Sequence, residues 1–217
     1  MQPKIQKLLI SFFAKSELKS FAKGEIVIQS ESKRIFFLTA GVVRMFSSSK
    51  EGVEVTLNIY KSYALFPMSL ILNNKPDKYT YDALTEVEGY FAPKKDFKNF
   101  IKNNPGILFD LLKRIYLGLD GFFMRVEALI LGNAYLKVLT QLIIHARRFG
   151  QNQQDKIIFD WHLTHHQLAS QTGLARESVT KEIKKLQDKG LIGYVGKKLF
   201  IYDLLKLEEE AYRKLTP

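Results

Sequence analysis

The spacing of apolar residues divides the chain into segments of two different periods. Residues 1–20 carry apolar side chains at helical spacing and predict an amphipathic helix. From Phe21 onward, short apolar runs alternate with turn residues about every 8–12 positions, which predicts roughly seven or eight strands of an all-β sandwich or roll. The main runs lie at residues 26–28, 35–38, 42–46, 53–59, 79–84 and 89–92.

A helical period returns after Pro93. A short helix over Asp96–Asn103 precedes Asn104-Pro105, a break that also suits a helix start. From Ile107, apolar residues alternate at spacings of three and four and form a wide stripe. Part of the stripe should pack on the roll, and the rest would leave a large exposed patch unless a second copy covers it. The residues predicted at this dimer interface are Leu111, Ile115, Leu119, Phe122, Phe123, Val126, Leu129 and Ile130.

The stretch from Leu163 to Leu186 predicts two short helices joined by a tight turn. Thr164 and Gln167 have the spacing of a capping box at the start of the first helix, and Gly173 supplies the positive φ that ends it. The second helix opens at Arg176 and keeps its apolar residues on one side. Gly132-Asn133 separates the long apolar helix from a further helix, Tyr135–Arg147, that leads into this helix-turn-helix.

Two β-prone runs follow the helix-turn-helix directly. Leu191–Val195 and Leu199–Tyr202 flank Gly196-Lys197-Lys198, which predicts a hairpin with a basic tip. A hairpin in this position forms the wing of a winged helix, and its lysines would lie on a phosphate backbone.

The second helix of the pair carries side chains that suit DNA recognition in the major groove. Arg176 can donate two hydrogen bonds to guanine, and Glu177 can accept from cytosine N4. Ser178 and Lys181 suit phosphate oxygens or a second base contact. One residue departs from the pattern, because Ala175 stands where a helix-capping Ser, Asn or Asp is usual. The predicted DNA contacts are Thr164, His165, His166, Arg176, Glu177, Ser178, Lys181, Lys197 and Lys198. The alternative from this stretch alone is a small helical bundle with a solvated, lysine-bearing face.

The charge balance favours a polyanionic partner. The chain has 33 Lys and Arg against 22 Asp and Glu, a formal charge of +11. Between Trp161 and Lys198, seven basic residues face three acidic ones, an excess of four (7 − 3). With no cysteine, the chain has no disulfide, no redox-active thiolate and no cysteine-held iron–sulfur cluster. No apolar run approaches the ~20 residues of a membrane span, so we expect a cytoplasmic protein with no membrane partner.

The order of parts resembles the CRP/FNR superfamily of bacterial transcription regulators over essentially the whole chain. The resemblance rests on Lys23-Gly24-Glu25, Gly41-Val42-Val43-Arg44, Asn104-Pro105 and the stretch from Leu163 to Val179. It implies an α+β fold in which a cyclic-nucleotide-binding-like jelly roll, a long dimerisation helix and a winged helix-turn-helix follow one another. The corresponding domains are 1–104, 105–131 and 132–217.

The resemblance further implies a homodimeric regulator with no enzymatic activity. Two recognition helices would occupy successive major grooves about 34 Å apart on a near-palindromic site, and RNA polymerase would be a further partner. In the family's helix, an Arg-Glu pair followed four residues later by Arg reads a TGTGA-like half-site. Arg176 and Glu177 match the pair, whereas Lys181 replaces the second arginine. Lys and Arg are not equivalent at a bidentate contact, so the base read at this position is open.

The effector cannot be named from the sequence. Cyclic-nucleotide binders of this superfamily carry a Gly-Glu pair and, about ten residues on, an Arg-Ser or Arg-Thr clamp. The corresponding residues 65–80 lack Gly-Glu, and no arginine occurs between Arg44 and Arg114, so we expect no cyclic AMP or GMP in the usual pose. Lys75 and Lys78 could contribute positive charge to a phosphate in this segment, and the alternative is that both lie in a solvated loop. An apolar or aromatic effector within the roll and a roll filled by its own side chains are left as equal alternatives.

Histidine usage limits the metal chemistry that we expect. All four histidines, at 145, 162, 165 and 166, follow the roll, so a haem in the roll would lack a histidine ligand, although haem is not excluded. His165-His166 is interpreted as a DNA-proximal or capping pair, and no metal site or cofactor is predicted. A cupin-type enzyme would need histidines on its strands, and none precedes His145. An effector-binding or non-specific nucleic-acid-binding module remains the alternative function.

Overall fold

The first helix, α1 (Pro3–Phe13), buries Ile5, Leu9 and Phe13 and ends well before the expected boundary at residue 20. Strand β1 (Glu17–Phe21) follows instead. The helical stripe stops because Ser16 and Glu17 occupy the positions three and four residues after Phe13. The computed structural model describes residues 2–30, 32–73, 77–153, 156–159 and 161–215, in two units, residues 1–116 and 117–217.

Within the described residues, the first unit contains eight strands, where the sequence predicts seven or eight. They form two antiparallel four-stranded sheets, in the orders β1-β8-β3-β6 and β2-β7-β4-β5. The strands at the predicted apolar runs are all present, whereas β1, β6 and the short helix α2 (Met68–Asn73) were not anticipated. The remaining strands are β2 (Ile26–Ile28), β3 (Arg34–Ala40), β4 (Val42–Ser48), β5 (Glu54–Lys61), β6 (Leu65–Phe66), β7 (Thr80–Ala83) and β8 (Val87–Pro93).

The interior of the roll is filled by its own aromatic side chains. Phe36, Phe66 and Tyr81 are fully buried, and the rings of Phe66 and Tyr81 stack with centroids 4.9 Å apart. Gly89 permits this packing, since a Cβ at that position would lie 2.4 Å from the Phe36 ring. This packing favours a roll filled by its own side chains over a roll that holds an effector.

Helix α3 (Lys94–Lys102) and helix α4 (Pro105–Leu131) follow the roll, and Pro105 begins α4 as predicted. Leu111 is only 4% exposed and belongs to the same core as Phe13 and Phe97, so it is not available to a second copy. The prediction that placed it at the dimer interface is corrected accordingly. Along the same helix, Leu119, Phe122, Phe123, Leu129 and Ile130 are exposed, whereas Ile115 and Val126 are half-buried.

The second unit is built around helix α5 (Ala134–Phe149), which contacts α6, α7 and α8. The side chain of Asn133 caps α5 by accepting from the Leu136 N–H at 3.1 Å, so the Gly132-Asn133 break is real. The other elements are β9 (Gly150–Gln153), β10 (Lys156–Phe159), α6 (His165–Thr172), α7 (Arg176–Asp188), β11 (Ile192–Val195), β12 (Lys198–Ile201) and α8 (Leu204–Leu215).

The predicted wing hairpin is part of a larger sheet. Strands β11 and β12 pair with β10 and β9 in the order β11-β12-β10-β9. Neither β9, β10 nor α8 was expected from the sequence. Among the described residues, no helix is long and apolar enough to cross a membrane.

Candidate nucleic-acid interface

Helix α6 begins with the capping box that the sequence predicts. The Thr164 hydroxyl accepts from the Gln167 N–H at 3.1 Å, and the Gln167 side chain accepts from the Thr164 N–H at 2.9 Å. Gly173 ends the helix with φ of 66°, a left-handed conformation that favours glycine. This turn places the start of α7 directly after α6.

Helix α7 separates its buried and exposed residues cleanly. Val179, Ile183 and Leu186 are fully buried, which fixes the helix on the core of the unit. The opposite face is exposed and carries Arg176, Glu177, Thr180, Lys181 and Lys184, with Ser178 half-buried at its margin. Thr180 was not singled out from the sequence, yet it lies among the predicted base-contacting residues. Ala175 is the N-cap residue of α7 and provides no side-chain hydrogen bond, as expected from its position in the sequence.

His165 connects α6 to both α7 and the wing. Its Nδ1 lies 2.8 Å from the Thr180 hydroxyl, and its Nε2 lies 3.1 Å from the Tyr194 hydroxyl. Because the Thr180 hydroxyl donates to the Arg176 carbonyl at 3.0 Å, it must accept from His165 Nδ1–H. This assignment leaves Nε2 as the acceptor for Tyr194.

The environment of His165 favours the neutral ring that this network requires. Burial lowers the pKa of His165, and the nearby Arg176 charge lowers it further. Both ring nitrogens of His165 are engaged inside the unit, whereas its neighbour His166 is exposed. The two histidines of the pair therefore lie in different surroundings.

The wing turns through Gly196 and Lys197, with Gly196 at φ of 59°. Gly196 is the first of the two residues in this loop, and a tight two-residue hairpin turn requires a positive φ at that position. Lys197 occupies the tip, whereas Lys198 is the first residue of β12, and both are exposed. The predicted basic tip is thus one turn residue and one strand residue.

The exposed cations between Arg176 and Lys198 fall into two groups. Lys185 pairs with Glu182 on the same helix, and Lys189 pairs with Glu210 of α8. The other group makes no salt bridge with any residue that the structure describes, and it comprises Arg176, Lys181, Lys184, Lys197 and Lys198. These five cations retain their charge for an external anion.

In the roll, the segment that the resemblance compares with a phosphate cassette holds a buried carboxylate. Asp77 is 5% exposed and accepts from the Tyr81 hydroxyl at 2.6 Å, the Ser69 hydroxyl at 3.2 Å and the Tyr79 N–H at 3.1 Å. A carboxylate already held by three donors opposes a second anion at the same place. Lys75 lies outside the described residues, and Lys78 stands over the Tyr79 ring, with Nζ 5.4 Å from the centroid.

No cluster of His, Cys, Asp and Glu with the geometry of a metal site occurs within the described residues. His145 is buried in the second unit, between the rings of Phe149, Phe159 and Trp161. His165 is engaged by hydroxyl groups, as described above.

Two family models match the chain in succession. Residues 18–104 match the cyclic nucleotide-binding domain, and residues 136–210 match the Crp-like helix-turn-helix domain. Among curated proteins, the chain is 26% identical over 181 residues to the global nitrogen regulator of Nostoc sp., covering 82% of this chain and 81% of the relative. It is 25% identical over 191 residues to the CRP-like cAMP-activated global transcriptional regulator of Mycobacterium tuberculosis, covering 88% and 83%.

Solved structures share the fold at low sequence identity. A CooA mutant from Carboxydothermus hydrogenoformans superposes with a TM-score of 0.76 at 18% identity, covering 93% of this chain and 90% of the other. TTHA1359, a transcriptional regulator from Thermus thermophilus, superposes with a TM-score of 0.69 at 24% identity, covering 90% and 98%.

Proposed function

Because this chain belongs to the CRP/FNR superfamily of bacterial transcription regulators, we propose that it regulates transcription as a homodimer that reads a near-palindromic DNA site. The observation that carries the proposal is the exposed face of α7. Arg176 and Glu177 open the helix, and Lys181 and Lys184 on the same face make no salt bridge with any described residue. Its domains are the roll (1–104), the dimerisation helix (105–131) and the winged helix (132–217). Acting on DNA, it would work in the cytoplasm of a bacterium, with RNA polymerase as a further partner.

Each predicted DNA contact receives a role that fits its surroundings. Arg176 and Glu177 read bases, and Lys181 adds a base or phosphate contact from the same exposed face. Thr164, His166 and Ser178 lie near the helix starts, where polar groups meet phosphate oxygens. Lys197 and Lys198 neutralise backbone charge from the wing. We assign His165 a positioning role, since both of its ring nitrogens are engaged internally.

The exposed residues of α4 define a dimer seam more sharply than the apolar stripe does. Seven positions repeat with spacings of three and four, the a and d pattern of a coiled coil. Six of them are exposed, and Val126 is half-buried. The proposed seam consists of Phe109, Leu112, Tyr116, Leu119, Phe123, Val126 and Ile130. It retains four of the residues predicted from the sequence and adds three that the structure leaves exposed.

For the sensor, we propose that the roll does not bind cyclic AMP or cyclic GMP in the pose usual for the family. The buried Asp77 carboxylate and the packed Phe66–Tyr81 pair support this proposal. The relatives include one protein named for cyclic AMP and another named for nitrogen regulation, so the family name does not select a signal.

The test is selection of binding sites by the purified full chain from random DNA duplexes, with and without cyclic AMP. We expect an enriched palindrome whose recovery does not depend on cyclic AMP. Recovery only with cyclic AMP would overturn the sensor proposal and leave the DNA-binding proposal intact.

The same selection separates a sequence-specific regulator from a module that binds nucleic acid by charge alone. If the protein reads sequence, its Arg176→Ala variant loses discrimination at one base position. If it binds by charge alone, neither the unmodified protein nor the variant yields a palindrome. The second result would overturn the proposed function.

A further inference from the structure

A small polar pocket lies in the second unit, between the last turns of α4, the start of α5 and the end of α6. Its volume is about 180 Å³ when its open mouth is included. The narrow part has room for about one water-sized group. The polar residues that line it are Arg125, Lys137, Thr140, Gln141, Gln171 and Thr172.

The lining of the pocket is positively charged. Arg125 and Lys137 contribute two cations, and among the described residues no carboxylate lines the space. Burial lowers the pKa of Arg125, and the charge of Arg148 lowers it further. Two cationic side chains beside a small space favour an anion there and oppose a cation.

Gln171 also lines the pocket and carries a hydrogen-bond donor without an acceptor in the described part of the chain. Its side chain is almost fully buried, and Nε2 has no hydrogen-bond partner among the described residues. The other end of the amide is fixed, because Oε1 lies 2.6 Å from Nε2 of the buried His145. A buried N–H group without an acceptor is costly, so a ligand that accepts a hydrogen bond there stabilises the unit.

Gln141 also lines the pocket and is buried. Its Oε1 has no hydrogen-bond partner among the described residues. The two ends of an amide exchange by a half-turn of the side chain, which would present Nε2 to the pocket instead. An anion in the pocket favours that orientation.

We propose that this pocket binds one small anionic atom, either a free halide such as chloride or a single oxygen of a carboxylate or phosphate group. The ligand would connect Arg125 of α4 and Lys137 of α5 to Gln171 at the end of α6. Because α6 is the first helix of the helix-turn-helix, occupancy would tie that helix to α4. The inference does not depend on the proposed function, since it can be tested without DNA.

The direct test is a crystal of the full chain grown or soaked with sodium bromide. We expect an anomalous bromide peak within hydrogen-bonding distance of Gln171 Nε2. A water molecule there, with no bromide peak, together with thermal stability that responds equally to salt in all the variants below, would overturn the proposal.

The second test is the thermal unfolding of the full chain without DNA, followed by the fluorescence of Trp161, the single tryptophan. We expect Tm to rise by a few degrees with added bromide or acetate. A response to bromide identifies a free halide, and a response confined to acetate identifies the oxygen of a larger ligand.

Two variants separate this effect from the general effect of salt. Gln171→Glu keeps an acceptor for His145 and places a carboxylate in the pocket, so its Tm should no longer respond to the added anion. Lys137→Gln should weaken the response. Lys206→Gln removes the same charge from an exposed position of α8 and should respond as the unmodified protein does.

Discussion

The imidazole Nδ1 of His165 lies 2.8 Å from the hydroxyl of Thr180, so the first helix of the helix-turn-helix is tied to the exposed face of the second. The same ring reaches the wing through Tyr194. Three elements that would meet DNA are therefore connected by one partly buried histidine, and its removal can be tested apart from any DNA contact.

Replacing His165 by Phe keeps a ring of similar size and removes both hydrogen bonds. At about 1 kcal/mol for each, the free energy of unfolding should fall by about 2 kcal/mol. Chemical denaturation measures this change. His166→Phe is the matched control, because His166 is exposed, and it should retain the stability of the unmodified protein. Equal stability of the two variants would contradict the connecting role.

Replacing Arg176 by Ala should remove about 1–3 kcal/mol of discrimination at a single base pair. The reason is that the forked guanidinium of Arg176 can donate to both acceptors of one guanine, whereas an alanine side chain can donate to neither. Fluorescence anisotropy with the selected operator and with single-base variants of it measures the discrimination.

Lys197→Ala is the control for charge. It should weaken binding to all duplexes alike and lower the dependence of affinity on salt. If Arg176→Ala also weakens every duplex equally, Arg176 contacts phosphate and does not read a base.

The oligomeric state should depend on the proposed seam of α4. Phe123→Asp places a charge at a central seam position, where Phe123 is 61% exposed in the single chain. We expect the dimer to dissociate, as measured by analytical ultracentrifugation, because a carboxylate there would be buried opposite its own copy. Leu117→Asp is matched in exposure at 57% and lies on the same helix outside the seam, so this variant should remain dimeric. Dissociation of both variants alike would place the interface elsewhere.

The stability of the second unit should decrease in mild acid because of His145. Burial lowers the pKa of His145 to about 3, and the nearby charges of Arg148 and Arg125 act in the same direction. The unfolded chain binds the proton at an ordinary pKa of about 6.5, so stability is retained above that pH and is lost progressively below it. At about pH 5 the loss should be about 2 kcal/mol, from about 1.36 kcal/mol for each pKa unit.

Denaturation curves between about pH 5 and pH 8, the range over which a free histidine titrates, check this expectation. His145→Phe should be less stable than the unmodified protein at neutral pH, since Gln171 loses a partner, but its stability should depend less on pH. Unchanged pH dependence would show that other groups cause the loss.

The sequence predicts the helix-turn-helix well because its signals are local. The capping box at Thr164, the glycine at Gly173 and the turn at Gly196 each act over a few residues, and all three are found. The same reasoning fails for Leu111, since a wide apolar stripe does not reveal which part faces the roll. Strand β9 was missed because Gly150–Gln153 is polar and its side chains show no alternation. It is a strand because its backbone pairs with β10, which no side-chain pattern in the segment indicates.

The side-chain network at His165 was also out of reach of the sequence. Thr180 and Tyr194 lie 15 and 29 residues from it along the chain, and only the fold brings their hydroxyls to one ring. The sequence therefore identifies candidate residues by type, whereas the contacts on which the proposed positioning role of His165 rests are visible only in the structure.

The missing cap at Ala175 has a consequence for order in the unbound protein. No side chain at this position accepts from the first turn of α7, a deficit of about 1 kcal/mol. The first-turn amides of the recognition helix should thus exchange with solvent deuterium faster than those of the capped helix α6. A phosphate oxygen of the operator can complete that turn, so the end of the helix that reads the sequence would become fully ordered only once the DNA is in place.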